Sequence, residues 1–326
     1  VEVLNRDHSV SDHGSRGYEG KAKKDEMNAR EPKFAEAEIG LKESADWPSL
    51  IALMVTLLVW SSAFAAIKAG LSFYSPLHLA VLRFITSSII LLPFLLFKFG
   101  LPDLSDLPFI FFLAATGMLL YHIPLCIGEQ TVSAGSSSLL ISTAPVFTAI
   151  IAVIGLKEKM TFLGWTGIAV SFAGAALIAV GESGIRISFG ALWILCAAFM
   201  ESFYFVFQKK LLPKYGAFRL TSYVIIAGTI LMMPFGKGLF DAVAAAPLSA
   251  TLTVVYLAIF PTCIGYAGWA YASSRNPASL VASSLFLNPV LAIFIAWVWL
   301  EEIPSLLSVI GGSVAILGVW ILQRTR

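Results

Sequence analysis

Charged residues are scarce in this chain, 13% of 326, about half the share usual in soluble domains. The formal net charge is +2, and no basic, aromatic-interleaved patch exists, so nucleic acid is not an expected partner. Cysteine is equally sparse. Cys126, Cys196 and Cys263 sit singly inside apolar runs without CxxC spacing, so they read as small packing residues, and neither a metal nor a cofactor is expected. No GxxxxGK[ST] loop is present, so ATP-driven work would need a separate subunit. No convergent catalytic set appears either, and an enzyme is not expected.

What the chain has instead is apolar length. Hydrophobic residues make up 58% of it. Charge collects in residues 1–47, which carry eight Lys/Arg and eleven Asp/Glu and no apolar run. That segment reads as a disordered cytoplasmic tail, not a signal peptide, and Met27 is an expected alternative start. A bilayer-crossing helix needs about 20 apolar residues. Ten such spans are expected near 48–68, 76–97, 107–127, 134–156, 162–181, 188–209, 218–235, 250–272, 278–300 and 305–323. The fold class is an all-α membrane protein. With a cytoplasmic N-terminus, ten Lys/Arg fall in inside loops and the C-terminal end, whereas only Lys68, Arg186 and Lys237 fall outside. Both termini are therefore expected in the cytoplasm.

The sequence is also written twice. Ser138 to Glu158 aligns on Ala282 to Glu302 at an offset of 144, so Pro145 meets Pro289 and Glu158 meets Glu302. Lys68 to Phe94 aligns on Lys209 to Phe235 at an offset of 141, and Gly167 and Gly174 meet Gly311 and Gly318. Repeats 48–184 and 185–326 would each hold five spans. An odd number inverts the second relative to the first, which places a binding site near the midplane between them.

Trp60-Ser61-Ser62-Ala63-Phe64 with Lys68, Leu82-Arg83-Phe84, the two Pro-to-Glu elements and Ile310-Gly311-Gly312 together resemble the drug/metabolite transporter superfamily, specifically its EamA-type members. The resemblance covers about residues 48–323. It implies two inverted five-helix repeats and a pathway that opens alternately to each side for amino acids or other small metabolites. A secondary exporter in a bacterial-type plasma membrane, monomeric or homodimeric, is the leading expectation. A proton-coupled importer or antiporter, and a channel, are the alternatives.

Glu201 is the sharpest candidate residue. It lies mid-span, where a charge needs water, a partner or a proton, and Tyr204 and Gln208 share its face. It is read either as a substrate ammonium ligand or proton-carrying carboxylate, or as a structural partner of Arg83 or of a hydroxyl. Trp60 occupies the equivalent repeat position and could pack over a substrate or serve structure alone. Tyr121, His122, Tyr266 and Trp269 are further candidate lining residues, and His122 could titrate near neutrality. Glu129, seven residues on from His122, is expected at the outer boundary in water. Arg83 is read mainly as a helix lock. Pro145 and Pro289 are expected to bend their spans. The four repeat glycines are expected to serve close packing within the fold more than dimerisation.

Overall fold

A computed structural model describes residues 47–156, 160–183, 188–275, 281, 284, 285 and 287–324. Except for Trp47, the tail expected over 1–47 lies outside them, as do Lys157, Glu158 and Arg186. Regular structure among the described residues is helical throughout. The principal helices are α1 (Trp47–Leu71), α2 (Pro76–Phe99), α3 (Leu104–Glu129), α4 (Ala134–Ile141), α5 (Ala144–Leu156), α6 (Phe162–Ser183), α7 (Phe189–Phe207), α8 (Ala217–Met232), α9 (Leu248–Arg275), α10 (Leu287–Leu300) and α11 (Leu306–Gln323). Eight helical stretches are long and apolar enough to cross a bilayer, with α4 and part of α5 forming one of them. The helices α10 and α11 are shorter apolar segments on the ninth and tenth expected spans.

Local chemistry sets the helix starts. Ser75, Ser133, Ser188 and Ser305 each accept a hydrogen bond from a backbone N–H in the first turn of α2, α4, α7 and α11. Thr161 does the same for α6 through the Gly164 N–H at 3.1 Å. Thr161 and Ser305 hold equivalent places in the two sequence repeats. Pro145 and Pro289 do not bend a continuing helix as expected. They are the second residue of α5 and the third of α10, where an N–H would have no intrahelical partner in any case. The fourth span is interrupted one step earlier, at Ser142 and Thr143.

Large apolar side chains such as Phe97, Phe162, Phe189 and Phe240 stand on the outside. A surface of that kind suits lipid and would drive aggregation in water. Inside lipid the hydrophobic effect no longer draws helices together, so close backbone approach matters more. The pair α6/α11 shows this most fully. A Cβ on Gly167 would stand 2.7 Å from the Gly318 carbonyl, and one on Gly174 would stand 2.5 Å from that of Gly311. The two contacts run in opposite chain directions, so the helices are antiparallel. The four repeat glycines are consumed within the fold.

The helices α3 and α7 pack together, as do α1 and α9. Likewise α5 packs on α7, and α10 on α1. Between α2 and α8, Ser88 Oγ and Thr229 Oγ1 share a hydrogen bond of 2.7 Å. Those two residues are repeat equivalents. At one end of the bundle Lys214 Nζ pairs with Asp103 and Asp106, each at 2.5 Å. Tyr215 donates to Asp106, and Tyr223 donates to the Gly100 carbonyl at 2.9 Å. This cluster ties the α2–α3 connection to the start of α8.

Gly174→Ala should lower stability by about 1–3 kcal/mol, because the methyl meets backbone that cannot rotate away. Thermal unfolding in detergent measures this, and Ala176→Val on the exposed side of α6 should leave it unchanged. The two carboxylates raise the pKa of Lys214. A raised lysine contributes stability that is complete below its unfolded value near pH 10.4 and is lost only as pH rises past the folded value. Lys214→Met should therefore lower the melting temperature equally at mildly acidic and mildly alkaline pH. Added salt should shrink the difference.

Candidate functional site

Departures from regular helix open a cavity between the helices. Residues Ala115–Leu119 in α3 and Ala258–Gly265 in α9 form π-helical turns. They occupy equivalent stretches of the two repeats, and π turns re-aim the side chains beyond them. Pro261 lies inside the second turn and offers no N–H to the Leu257 carbonyl. The Thr262 hydroxyl donates to that carbonyl instead, at 2.9 Å. The Pro261 carbonyl accepts from Trp60 Nε1 at 3.1 Å. A Cβ on Gly265 would collide with the Trp60 ring, so glycine there lets α1 and α9 close.

The cavity has about 770 Å³ of empty space, counting the part open to solvent. Trp60 and Phe64 of α1, Arg83 of α2, Tyr121 and His122 of α3, Glu201 and Phe205 of α7, and Tyr266 of α9 line it. Pro145 and Asn288 lie at its broken-helix side. The aromatic rings interlock. Tyr266 meets Trp60 edge-on at 5.4 Å between centroids, and the His122 ring lies 6.3 Å from that of Tyr266. His122 Nδ1–H donates to the Met118 carbonyl at 3.0 Å, leaving Nε2 as its other polar atom. Five pairs of repeat-equivalent positions meet in this lining: 60 with 201, 64 with 205, 122 with 266, 141 with 285, and 144 with 288.

Arg83 and Glu201 are the two charged residues of the lining. Arg83 Nε donates to Thr262 Oγ1 at 2.6 Å, which locks α2 to α9. Its remaining N–H groups have no acceptor among the described residues. Glu201 is 6% exposed, and its carboxylate has no hydrogen-bond donor among the described residues. No ion pair joins the two. Glu201 is thus not the structural partner of Arg83, and Arg83 combines a helix lock with a free edge on the cavity. A buried acid and a buried base, both without a protein counter-ion, suit a ligand that brings the complements.

Not every expected residue reaches the cavity. Tyr204 is 1% exposed and packs on Gly117, where only hydrogen fits beside its ring. Trp269 stands behind Trp60 at 5.2 Å and supports it. Pro289 is buried beside Asn288, and Gln208 is buried away from the lining. Glu129 is neither solvated nor in the cavity: it is fully buried at the end of α3. Next to it, α3 closes on α7 where Gly128 meets Gly190. Phe205, Asn288 and Thr262 were not anticipated. Asn288 could have been found, because it breaks the repeat opposite Ala144 directly before the shared proline. The role of Thr262 depends on the π turn, which carries no sequence signature.

One family description, the EamA-like transporter family, matches residues 47–180 and again 188–324. The chain belongs to the EamA-like transporter family. The resemblance read from the sequence is thereby shown, and the protein is a multi-pass membrane transporter. YdfC of Bacillus subtilis, an uncharacterized transporter, is 46% identical, over 82% of this chain and 87% of that one. A protein of Streptantibioticus cattleyicolor named a probable terminal-alkyne amino-acid exporter is 38% identical, over 84% and 92%. The uncharacterized inner membrane transporter YedA of Escherichia coli is 28% identical, over 76% and 81%. A solved crystal structure with 18% identity covers 85% of this chain and 96% of its own, with a TM-score of 0.59. That likeness speaks for the fold alone.

In this EamA-family site the Arg83–Thr262 lock has a measurable signature. Thr262→Val keeps the side-chain shape but strands a charged donor, which costs about 2 kcal/mol. Thermal unfolding should show that loss, and Thr262→Ser should recover most of it.

Proposed function

We propose that this chain is a secondary transporter that exports amino acids or similar small zwitterionic metabolites across the plasma membrane by alternating access. The observation that carries this reading is the pair of unpaired charges in one cavity. Arg83 presents donors for an α-carboxylate, Glu201 presents acceptors for an α-ammonium, and Trp60 and Phe205 offer apolar faces for a side chain. The relative named as an amino-acid exporter supports both the substrate class and the outward direction.

Alternating access needs two halves that can exchange roles. We read residues 48–184 and 185–326 as inverted five-helix repeats in a ten-span bundle with both termini cytoplasmic. Three features support this. The antiparallel glycine pairs of α6 and α11 exchange when the halves are swapped. Ser88 meets its own equivalent, Thr229, as residues on a two-fold axis would. The cavity lining draws on equivalent positions from both halves, as a site straddling that axis requires. With its repeat glycines used internally, the chain has no need of a partner copy to complete the cavity, and we read the transporting unit as one protomer.

Counterflow in proteoliposomes tests the reading, with L-propargylglycine as a terminal-alkyne amino acid and a standard set of L-amino acids. Saturable exchange of at least one is expected. Glu201→Gln removes a charge-assisted contact of about 1.5–3 kcal/mol, so the half-saturation concentration should rise roughly ten- to a hundredfold. The desamino analogue of the same substrate should be unaffected by that change. Absence of exchange for every amino acid, or an unchanged Glu201→Gln, would contradict the proposal.

A further inference from the structure

The end of α3 holds a carboxyl group that the central cavity does not use. Glu129 has no solvent exposure, and neither Oε1 nor Oε2 has a hydrogen-bond partner among the described residues. An ionised carboxylate in that position would face a desolvation cost far beyond the stability of a domain. The nearest candidate cation is engaged elsewhere. Lys68 Nζ of α1 donates to the Glu129 carbonyl at 2.7 Å and to the Val132 carbonyl at 3.0 Å, and forms no ion pair with the Glu129 carboxylate. Glu302 Oε2 accepts from the Ala134 N–H at 2.9 Å, at the start of α4. The α3–α4 turn is thus clamped by a cation on helix-terminal carbonyls and an anion on a helix-terminal N–H, the favourable sense for both. Lys68, Ser72, Glu301 and Glu302 line an opening to the surface at this same end.

From these placements we propose that Glu129 is a proton-binding site that couples the outer clamp to transport, a step that rests on the transport reading above. With a proton on its carboxyl, Glu129 is neutral and Lys68 stays on the backbone carbonyls, so α1, α3 and α4 are held together. When the proton leaves through the opening to water, the carboxylate takes Lys68 as its counter-ion, and the clamp on the Glu129 and Val132 carbonyls is released. Charge balances in each state: neutral carboxyl with clamped ammonium, or carboxylate paired with ammonium. The groups whose fields reach Glu129 are Lys68 of α1, Arg83 of α2 and Glu302 beyond α10. Tyr121 and Cys126 are titratable neighbours on its own helix. The neighbouring α7 contributes Gly190 and Ile194 against Gly128, neither of them charged. In the second repeat the equivalent residue is Ser273, which is exposed, so the acid belongs to one end only.

Two measurements on the full chain test this. Infrared difference titration of reconstituted protein should show a protonated carboxyl band at neutral pH that is lost in Glu129→Gln, shifted in Glu129→Asp and retained in Glu201→Gln. A band indifferent to Glu129→Gln would overturn the site. In proteoliposomes that exchange L-propargylglycine, a pH gradient should drive accumulation by the wild type. Glu129→Gln should keep equal-pH counterflow, which also shows that it is folded, and lose gradient-driven accumulation. Accumulation in Glu129→Gln equal to wild type, or accumulation driven by a sodium gradient at equal pH, would overturn proton coupling. Absence of counterflow in the wild type would instead defeat the transport reading and leave the infrared result to judge the site.

Discussion

Everything in this bundle answers to one constraint: in hydrocarbon a backbone N–H or C=O must find its partner within the protein. Regular helix meets that demand without help, so any departure has to be repaired locally or open onto a polar space. The π turns of α3 and α9 come shortly before the lining residues Tyr121, His122 and Tyr266, and the gap between α4 and α5 supplies Ser142 and Ala144. Another π turn, Leu95–Phe99, ends α2 away from the cavity. Where Pro261 frees a carbonyl, Thr262 repairs it, and the same hydroxyl then receives Arg83. A backbone defect, a repair and a charged ligand-facing group are thus one connected unit.

Duplication and divergence divide the work. Positions at which the repeats agree are positions of backbone contact, as at Gly167, Gly174, Gly311 and Gly318. Positions at which they disagree supply chemistry. Trp60 stands against Glu201, His122 against Tyr266, and Ala144 against Asn288, and all six line the cavity. A symmetric scaffold thereby carries an asymmetric lining, with a carboxylate from one half and an indole from the other at equivalent depth. A ligand with a charged end and an apolar end fits such a lining better than it would fit two copies of either.

How much of this was legible in the sequence follows the range of the interactions involved. Eight spans were legible because hydropathy is local, and shorter apolar helices fall on the ninth and tenth expected segments. The glycine contacts were legible because repetition marked them. The positions of Tyr204 and Trp269 were not: both share a face with lining residues on unbroken helix, yet Tyr204 is covered where it packs on Gly117 of α3 and Trp269 stands against Trp60 of α1. Helical periodicity says which side chains share a face, not which neighbour from elsewhere in the chain covers them. Glu129 was misplaced for a related reason. Hydropathy locates the end of a span along the chain, but burial there was decided by α7 and by the Lys68 clamp, both remote in sequence.

The two ends of the bundle are closed by different chemistry. At the Lys214 end the ammonium is partly exposed, at 44%, between an exposed Asp103 at 62% and a more covered Asp106 at 19%. Such pairs contribute little net stability and yield readily to water and salt. At the Lys68 end a half-buried ammonium is held on backbone carbonyls, and a buried carboxyl lies beneath it. Breaking those bonds strands a charge unless a replacement acceptor appears at the same moment. The first end is therefore the one that salt should weaken, whereas the second is held by contacts that only another acceptor for the Lys68 ammonium can replace.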